Sequence, residues 1–175
     1  MRLALASLVG LLSLAACSGG DDSNPSSPPT ATNGGMLMTR ASMTPTIEDG
    51  QEVEIIPYGD AEPQPGDIVA FRLPSNPSWT AIKRIVAQSG DTVEIRGTDG
   101  AVVVNGAALD EPYFEGETTC RVPCSWILPP AGSGHSLGEC PTICYFVLGD
   151  NRRNSSDSRQ DWLVPAEDIF GWIDR

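Results

Sequence analysis

Short apolar runs recur along the chain after residue 36, and residues typical of turns separate them. Each run is three to six residues long, and the breaks between runs include Gly90-Asp91 and Asn105-Gly106. Runs of this length between such breaks are typical of β-strands. No segment has a long apolar repeat of 3.6 residues, so we expect little helix beyond a short turn at Pro165. The predicted strands cover residues 53–56, 68–71, 81–86, 93–95, 102–104, 145–148 and 169–173.

This pattern predicts a mostly β protein with a single antiparallel β-rich domain over residues 36–175. About 140 residues are enough to bury one hydrophobic core. Residues 115–144 contain four cysteines, and we expect them to form an irregular excursion from the sheet. Residues 17–35 are a cysteine followed by a segment rich in Ser, Pro, Gly and Asn, which predicts a flexible tether.

The first 16 residues have the layout of a secretory signal peptide. Arg2 supplies a basic start, residues 3–14 are predominantly apolar, and small residues follow. The apolar stretch is shorter than the roughly 20 residues that a membrane-spanning helix needs. Leu-Ala-Ala-Cys at residues 14–17 resembles the lipobox of bacterial lipoproteins, whose cysteine is lipidated and becomes the first residue. The resemblance implies lipidation at Cys17, and an ordinary secreted protein is the alternative.

The chain is strongly acidic, and this limits how it can reach a membrane. Its formal net charge is −12, and loss of residues 1–16 makes it −13 because Arg2 is the only charged residue among them. A chain this acidic does not bind nucleic acid non-specifically, and anionic lipid repels it. We therefore expect a lipoprotein that faces the periplasm and is held by the lipid on Cys17. The sequence does not choose between the inner and outer membranes, and nothing in it indicates oligomerisation.

Four cysteines remain when Cys17 is set aside: Cys120, Cys124, Cys140 and Cys144. An even number of cysteines in a secreted chain predicts two disulfides. Zinc binding by the same four residues is the alternative, although an oxidising compartment disfavours stable thiolates. Three disulfide pairings are possible, and the sequence does not choose among them.

Candidate catalytic groups are few, and the most informative is the single lysine. The chain has ten arginines but only one lysine, Lys83. Arginine cannot lose its proton in a protein, whereas burial lowers the pKa of a lysine and makes the neutral amine a competent general base. The only histidine, His135, lies in a Gly- and Ser-rich stretch, which disfavours a Ser-His-Asp triad. No metal-ligand spacing or phosphate-binding loop is evident, so no metal or cofactor is expected.

Four segments place polar residues in a distinctive order beside predicted strands. They are Ser42-Met43-Thr44-Pro45-Thr46, Gly66-Asp67-Ile68-Val69-Ala70-Phe71, Ile82-Lys83-Arg84-Ile85-Val86 and Gly149-Asp150-Asn151-Arg152-Arg153-Asn154-Ser155-Ser156-Asp157-Ser158-Arg159. In this order they resemble the motifs of bacterial type I signal peptidases, serine peptidases that remove secretory signal sequences. The likeness covers nearly all of residues 41–173, and the fourth motif is highly specific.

The resemblance implies a serine endopeptidase with a Ser-Lys dyad in a β-rich fold. Ser42 Oγ would attack the scissile carbonyl, and Lys83 would accept its proton. Ser155 would hydrogen-bond to the lysine and orient its amine. Asp157 and Arg159 would form a pair that holds the fourth motif in shape.

The same resemblance implies the kind of substrate. Extended segments of exported preproteins would add along a strand edge and be cut after small residues in an Ala-x-Ala pattern. Gly149 and Asp150 open the fourth motif and are expected to support the site.

Two departures from the family leave other functions open. Arg40 stands where family members usually have Ser or Gly, two residues before the nucleophile, where a serine hydroxyl helps the Ser42 backbone N–H bind the oxyanion. Members typically span the membrane, whereas this chain is predicted to be lipid-tethered. The alternatives are a catalytically impaired relative that binds peptides or scaffolds a complex, and a dedicated maturation peptidase for a few exported proteins.

Overall fold

The computed structural model describes residues 35–37, 41–114, 116–120, 124–135 and 137–175. Nearly all the regular structure in these residues is antiparallel β, which confirms the predicted fold class. The strands are β1 (Gly35–Leu37), β2 (Glu52–Glu54), β3 (Ile68–Leu73), β4 (Asn76–Gln88), β5 (Thr92–Ile95), β6 (Val102–Val104), β7 (Ala107–Ala108), β8 (Ser125–Ile127), β9 (Ser133–His135), β10 (Gly138–Cys140), β11 (Cys144–Leu148), β12 (Val164–Pro165) and β13 (Ile169–Ile173).

Helical structure in the described part of the chain consists of three 3₁₀ turns, Arg152–Asn154, Ser158–Gln160 and Ala166–Asp168. The last of these follows Pro165, as the sequence predicts. None of the helices in the described ranges is long and apolar enough to cross a bilayer.

The central element is a five-stranded sheet in the order β12-β11-β4-β3-β13. Residues 68–71 of β3 are all buried because apolar side chains cover both faces of the sheet. A continuous apolar run bounded by turns is what such a doubly covered strand requires. One face packs against Met43 and Ile47, which follow the predicted nucleophile, and the other contains Phe71 and Tyr145. The turn that carries Ser42 is thus fixed against the sheet that carries Lys83.

A second sheet has the order β7-β6-β5-β8 and is buried on one side. In β5 the residues alternate between exposed and buried, with Val93 and Ile95 inward. They pack with Phe146 and Leu148 of the central sheet in a shared cluster. The β6–β7 hairpin turns at Asn105 and Gly106, whose φ angles of 52° and 81° suit the Asn-Gly turn predicted from the sequence.

The excursion predicted as irregular, residues 115–144, is more ordered than expected. It contains β8, β9 and β10, and β8 pairs with β5 to complete the second sheet. Trp126 of β8 is buried and packs against Phe146 at a ring-centroid distance of 5.1 Å. The sequence does not reveal β8 because its three residues form a strand only when a distant strand supplies the partner. The short strands β7, β9 and β10 pair within local hairpins, and their two or three residues are too few to show an apolar pattern.

Candidate active site

The fold brings the serine and lysine predicted as a dyad into direct contact. Lys83 Nζ donates a hydrogen bond to Ser42 Oγ at 2.7 Å, although 41 residues separate them. The side chains are almost withdrawn from water, since Ser42 is 7% exposed and Lys83 5% exposed. An amine at this distance can exchange a proton with the hydroxyl without an intervening water.

Burial also sets the protonation behaviour of the amine. Loss of hydration lowers the pKa of Lys83 from its ordinary value to about 8, while the charges of Asp157 and Asp150 act in the opposite direction. A second hydrogen bond, from Nζ to Ile82 O at 2.9 Å, holds the amine in place. Because the pKa lies close to neutrality, a useful fraction of the amine is unprotonated under ordinary conditions.

The nucleophile lies on a turn that the fourth motif holds from the other side. Asn151 donates through its backbone N–H to Ser42 O at 3.0 Å and through its side chain to Ala41 O at 2.9 Å. Met43 and Ile47, both buried, are joined by a backbone hydrogen bond of 2.9 Å. The position of Ser42 therefore depends on a segment more than a hundred residues later in the chain.

Ser155 differs from expectation. Among the described residues its buried Oγ has no hydrogen-bond partner. The predicted bond to Lys83 is not formed, and the amine bonds to Ser42 Oγ and Ile82 O. Ser155 nevertheless lies beside the nucleophile: a Cβ added to Gly149 would collide with Ser155 Oγ and lie 2.5 Å from Ser42 O. The sequence identified the right neighbourhood but not the hydrogen bond.

Asp157 and Arg159 form the predicted pair. Arg159 Nε and Nη2 donate to the two carboxylate oxygens of Asp157 at 2.7 and 2.8 Å. Asp157 also accepts from the backbone N–H of Gly149 at 3.1 Å, which ties the beginning of the motif to its end. Arg159 reaches Arg152 O at 2.8 Å as well. Together these bonds hold the segment that contacts Ser42 in one conformation.

Asp150 supports the site through a residue to which the sequence analysis gave no role. Arg84 Nε and Nη2 donate to its two carboxylate oxygens at 3.0 and 2.7 Å, and Thr46 Oγ1 donates to it at 2.5 Å. The Asp150 side chain has no exposed surface. A signal was available, because an arginine that follows the base along a strand points to the opposite face and needs an anion when buried.

A second buried arginine, Arg152, anchors the start of the excursion to the fourth motif. It pairs with Glu111, donates to Thr118 Oγ1 at 2.6 Å and has its guanidinium carbon 4.6 Å from the centre of the Phe114 ring. A cleft of about 740 Å³ lies between this segment and the Thr44–Pro45 peptide, which is cis. Ser42 and Lys83 do not line this cleft, so it borders the nucleophile turn and not the dyad.

The remaining predicted residues fall into two groups. The structure joins Cys120 to Cys124 and Cys140 to Cys144 as disulfides, which leaves no thiolates there for zinc. No group of three or more potential metal ligands occurs within the described ranges. The predictions for Arg40 and Cys17 fall outside the described residues.

Comparison with known proteins gives consistent matches. The family profile "Signal peptidase, peptidase S26" matches residues 30–174. Signal peptidase I of Leptolyngbya laminosa is 35% identical over 139 residues, covering 74% of this chain and 61% of that protein. Probable signal peptidase I-2 of Synechocystis is 36% identical over 138 residues, covering 75% of this chain and 56% of that protein. The chain thus spans less than two thirds of the length of these relatives.

A relative that the match covers more completely and a solved structure are also similar to this chain. Signal peptidase IB of Staphylococcus aureus is 33% identical over 141 residues, covering 75% of this chain and 71% of that protein. The crystal structure of a signal peptidase I from Enterococcus faecalis is 30% identical, with a TM-score of 0.48, and the match covers 65% of this chain and 98% of that one. Because the family profile covers more than half of the sequence, this chain belongs to the signal peptidase family, peptidase S26.

Proposed function

We propose that this chain is a serine endopeptidase of the signal peptidase I type that cuts exported preproteins after small residues. The observation that carries the proposal is the buried contact of 2.7 Å between Lys83 Nζ and Ser42 Oγ, with the pKa of the amine lowered to about 8. A hydroxyl beside a desolvated amine is the arrangement that an activated serine nucleophile needs.

In the proposed reaction Ser42 Oγ forms a bond to the scissile carbonyl carbon while neutral Lys83 takes the hydroxyl proton. The lysine then gives this proton to the leaving amine as the peptide bond breaks, and an acyl group remains on Ser42. A water molecule, deprotonated by the same amine, hydrolyses the ester and restores the hydroxyl. The Ser42 backbone N–H is the proposed oxyanion donor, and Arg40 remains a candidate for the second.

The supporting residues have separate proposed roles. Ser155 is a positioning residue for the dyad, because its buried hydroxyl lies beside the nucleophile and has no hydrogen-bond partner among the residues that the structure describes. Asp157, Arg159, Gly149 and Asp150 keep the fourth motif in shape through the bonds described above. These residues are proposed to act through the geometry of Ser42.

Substrate binding is proposed to occur by strand addition beside the dyad. β11 pairs with β4 only from Arg84 onward, so the described part of the chain leaves the adjoining edge at Lys83 without a strand on that side. An extended peptide can bond to such an edge through its backbone, while small side chains fit near the buried dyad. Exported preproteins supply such extended segments at their cleavage sites.

The proposed location is the periplasmic side of a membrane, with the chain held by a lipid on Cys17. The support for this is the Leu-Ala-Ala-Cys sequence at residues 14–17 together with a net charge of −12, which opposes binding to anionic lipid through the protein surface. The substrates would then be exported proteins that reach this lipid-tethered domain.

The test is cleavage of a peptide with an Ala-x-Ala site by the full chain in detergent. Cutting after the second alanine is expected, and Ser42→Ala and Lys83→Arg are each expected to abolish it. Arginine keeps the charge but cannot act as a base, so Lys83→Arg separates deprotonation from electrostatics. Ser156→Ala, which removes an exposed serine of the fourth motif, is the matched control and should cut normally.

One other outcome would favour the peptide-binding relative over the enzyme. If the chain binds the peptide but does not cut it, the arginine at position 40 is the first candidate for the cause of the lost activity. A missing oxyanion donor lowers rates by about 10²–10³. Recovery of cutting in Arg40→Ser would assign the defect to that residue.

A further inference from the structure

The strand that carries the base has an edge that ends in an exposed tryptophan. On the side of β4 that faces β11, pairing runs only from Arg84 to Gln88. Among the described residues, no other strand pairs with the part of β4 before Arg84 on that side. We call residues 80–83, on this side of β4, the open edge, because no described strand pairs with them there; Thr80 is exposed, whereas Ile82 and Lys83 are 0% and 5% exposed. Lys83 lies at one end of the open edge, and Trp79 immediately precedes the other end.

Trp79 is exposed to solvent, which is unusual for so large an apolar side chain. It is 59% exposed. The pairing of β3 with β4 shifts here, because Arg72 pairs with Thr80 whereas Leu73 pairs with Asn76. β4 therefore gains extra residues at this point, and irregularities of this kind redirect side chains away from the regular face of a sheet.

The distance from the dyad fixes which part of a substrate Trp79 can meet. Four residues of extended chain separate Lys83 from Trp79, a span of at most about 13 Å. A peptide paired along the open edge, with its scissile carbonyl at Ser42, would place its fifth or sixth residue from the cut beside Trp79. The peptide cannot continue in the other direction along β4, because β11 occupies that side from Arg84 onward.

The proposed selection of small residues before the cut determines which way the peptide runs along the open edge. If small residues before the cut are selected, the upstream part of the substrate must be the part ordered on the open edge. In exported proteins the residues just upstream of the small-residue site belong to an apolar stretch. We propose that Trp79 is a specificity-determining residue that binds the end of this apolar stretch, an inference that rests on the proposed function.

A lipid surface is the other possible occupant for an exposed tryptophan, and the described surface argues against it. The exposed large apolar side chains of the described residues are Trp79 and Ile127, and they lie in different sheets. Interfacial binding normally needs a larger apolar face with basic residues around it, whereas this chain has a net charge of −12. Trp79 is instead continuous with the edge that leads to the dyad.

The experiment compares three peptides with the same Ala-x-Ala site, using the full chain in detergent. One has leucines at the fifth and sixth residues before the cut, one has serines there, and one has leucines at the same distance after the cut. The measured quantity is the ratio of kcat/KM for the upstream leucine peptide to that for the serine peptide. The wild-type ratio is expected to be about ten, from partial burial of apolar surface against the ring.

Trp79→Ala is expected to bring this ratio close to one. Trp79→Phe, which keeps an apolar ring, should retain most of it, and Ile127→Ala is the matched control because it removes the other exposed apolar side chain. The inference is overturned if the ratio survives in Trp79→Ala, or if Trp79 matters only for leucines after the cut. It is also overturned if Trp79→Ala weakens binding to phosphatidylcholine vesicles and leaves the peptide ratio intact.

Binding to a Ser42→Ala chain, measured by fluorescence anisotropy of labelled peptides, separates this inference from the proposed function. If the wild type cuts no peptide, but the leucine peptide binds more tightly through Trp79, the proposed activity fails and only the binding of the apolar segment by Trp79 stands. If the wild type cuts all peptides alike and Trp79→Ala changes neither ratio nor binding, the activity stands and the inference fails.

Discussion

At the scale of single residues, the proposed mechanism uses Lys83 as a neutral amine, so its pKa of about 8 predicts the pH dependence. The protonated amine is the inactive form, so kcat/KM should rise about ten-fold per pH unit below that value and level off above it. At pH 7 about one tenth of the amine is neutral. A pH profile with a well-behaved peptide substrate measures this directly. A flat profile between pH 6 and 9 would mean that Lys83 is not the base.

The same burial should make Lys83 a destabilising residue. Its folded pKa of about 8 lies below the ordinary 10.5, so the unfolded chain binds more protons between these values and stability rises with pH across that interval. Below pH 8 the full penalty is present, about 3 kcal/mol for a shift of this size. Lys83→Met should therefore abolish activity yet raise the free energy of unfolding at pH 7 by about 1–3 kcal/mol. Urea denaturation of the two chains at pH 7 tests this, and a less stable variant would contradict it.

At the scale of elements, Gly149 joins the end of β11 to the nucleophile turn. Its backbone φ does not require glycine, but a Cβ there would meet Ser155 Oγ and the carbonyl oxygen of Ser42. Gly149→Ala should displace Ser42 from Lys83 and lower kcat by about 10²-fold or more. Overpacking should also reduce stability by about 1–3 kcal/mol. Kinetics and thermal unfolding together report both effects.

The matched control for that substitution is Gly97→Ala. A Cβ at Gly97 meets nothing within 4 Å, and its φ is not positive. Its activity should equal that of the wild type. Equal activity of Gly149→Ala and Gly97→Ala would show that the close approach at the nucleophile turn has no catalytic importance.

Some of the strands and turns can be predicted from sequence patterns alone. The strands with apolar runs, such as β3 and β11, were predicted because burial on one or both faces dictates their composition. Strand β8 was missed because its three residues pair with β5, more than 30 residues earlier, and β9 and β10 were missed because three residues each are too few to show a pattern. The predicted turn at Asn105 was correct because the backbone conformation itself selects the residue.

At the scale of the whole molecule, an acidic surface leaves the lipid as the proposed attachment to the membrane. The net charge of −12 opposes binding to anionic bilayers, so Cys17→Ser should move the chain from the membrane fraction to the soluble extract. Ser18→Ala, which keeps the cysteine, is the control and should stay with the membrane. Fractionation and labelling with a fatty-acid analogue measure this. A Cys17→Ser chain that remains in the membrane fraction would contradict lipid anchoring.

The sequence by itself determined the β-rich class and the candidate dyad, because both depend on residue type. Lys83 is chemically distinct from ten arginines, and Ser42 lies in a motif with a fixed order. Likeness to the family also indicated the pair formed by Asp157 and Arg159, whose two residues are close in the chain.

Only the tertiary structure decided which of several possible partners each group meets. It selected one of the three possible disulfide pairings. It also paired Arg84 with Asp150, 66 residues later in the chain. The Lys83 amine hydrogen-bonds to Ser42 and Ile82 and not to Ser155. Among the described residues the fold also left the β11 side of β4 before Arg84 without a strand partner and exposed Trp79. Local sequence constrains the chemistry of each residue, whereas burial, pKa and hydrogen-bond partners arise only when the folded chain removes water and fixes which groups meet.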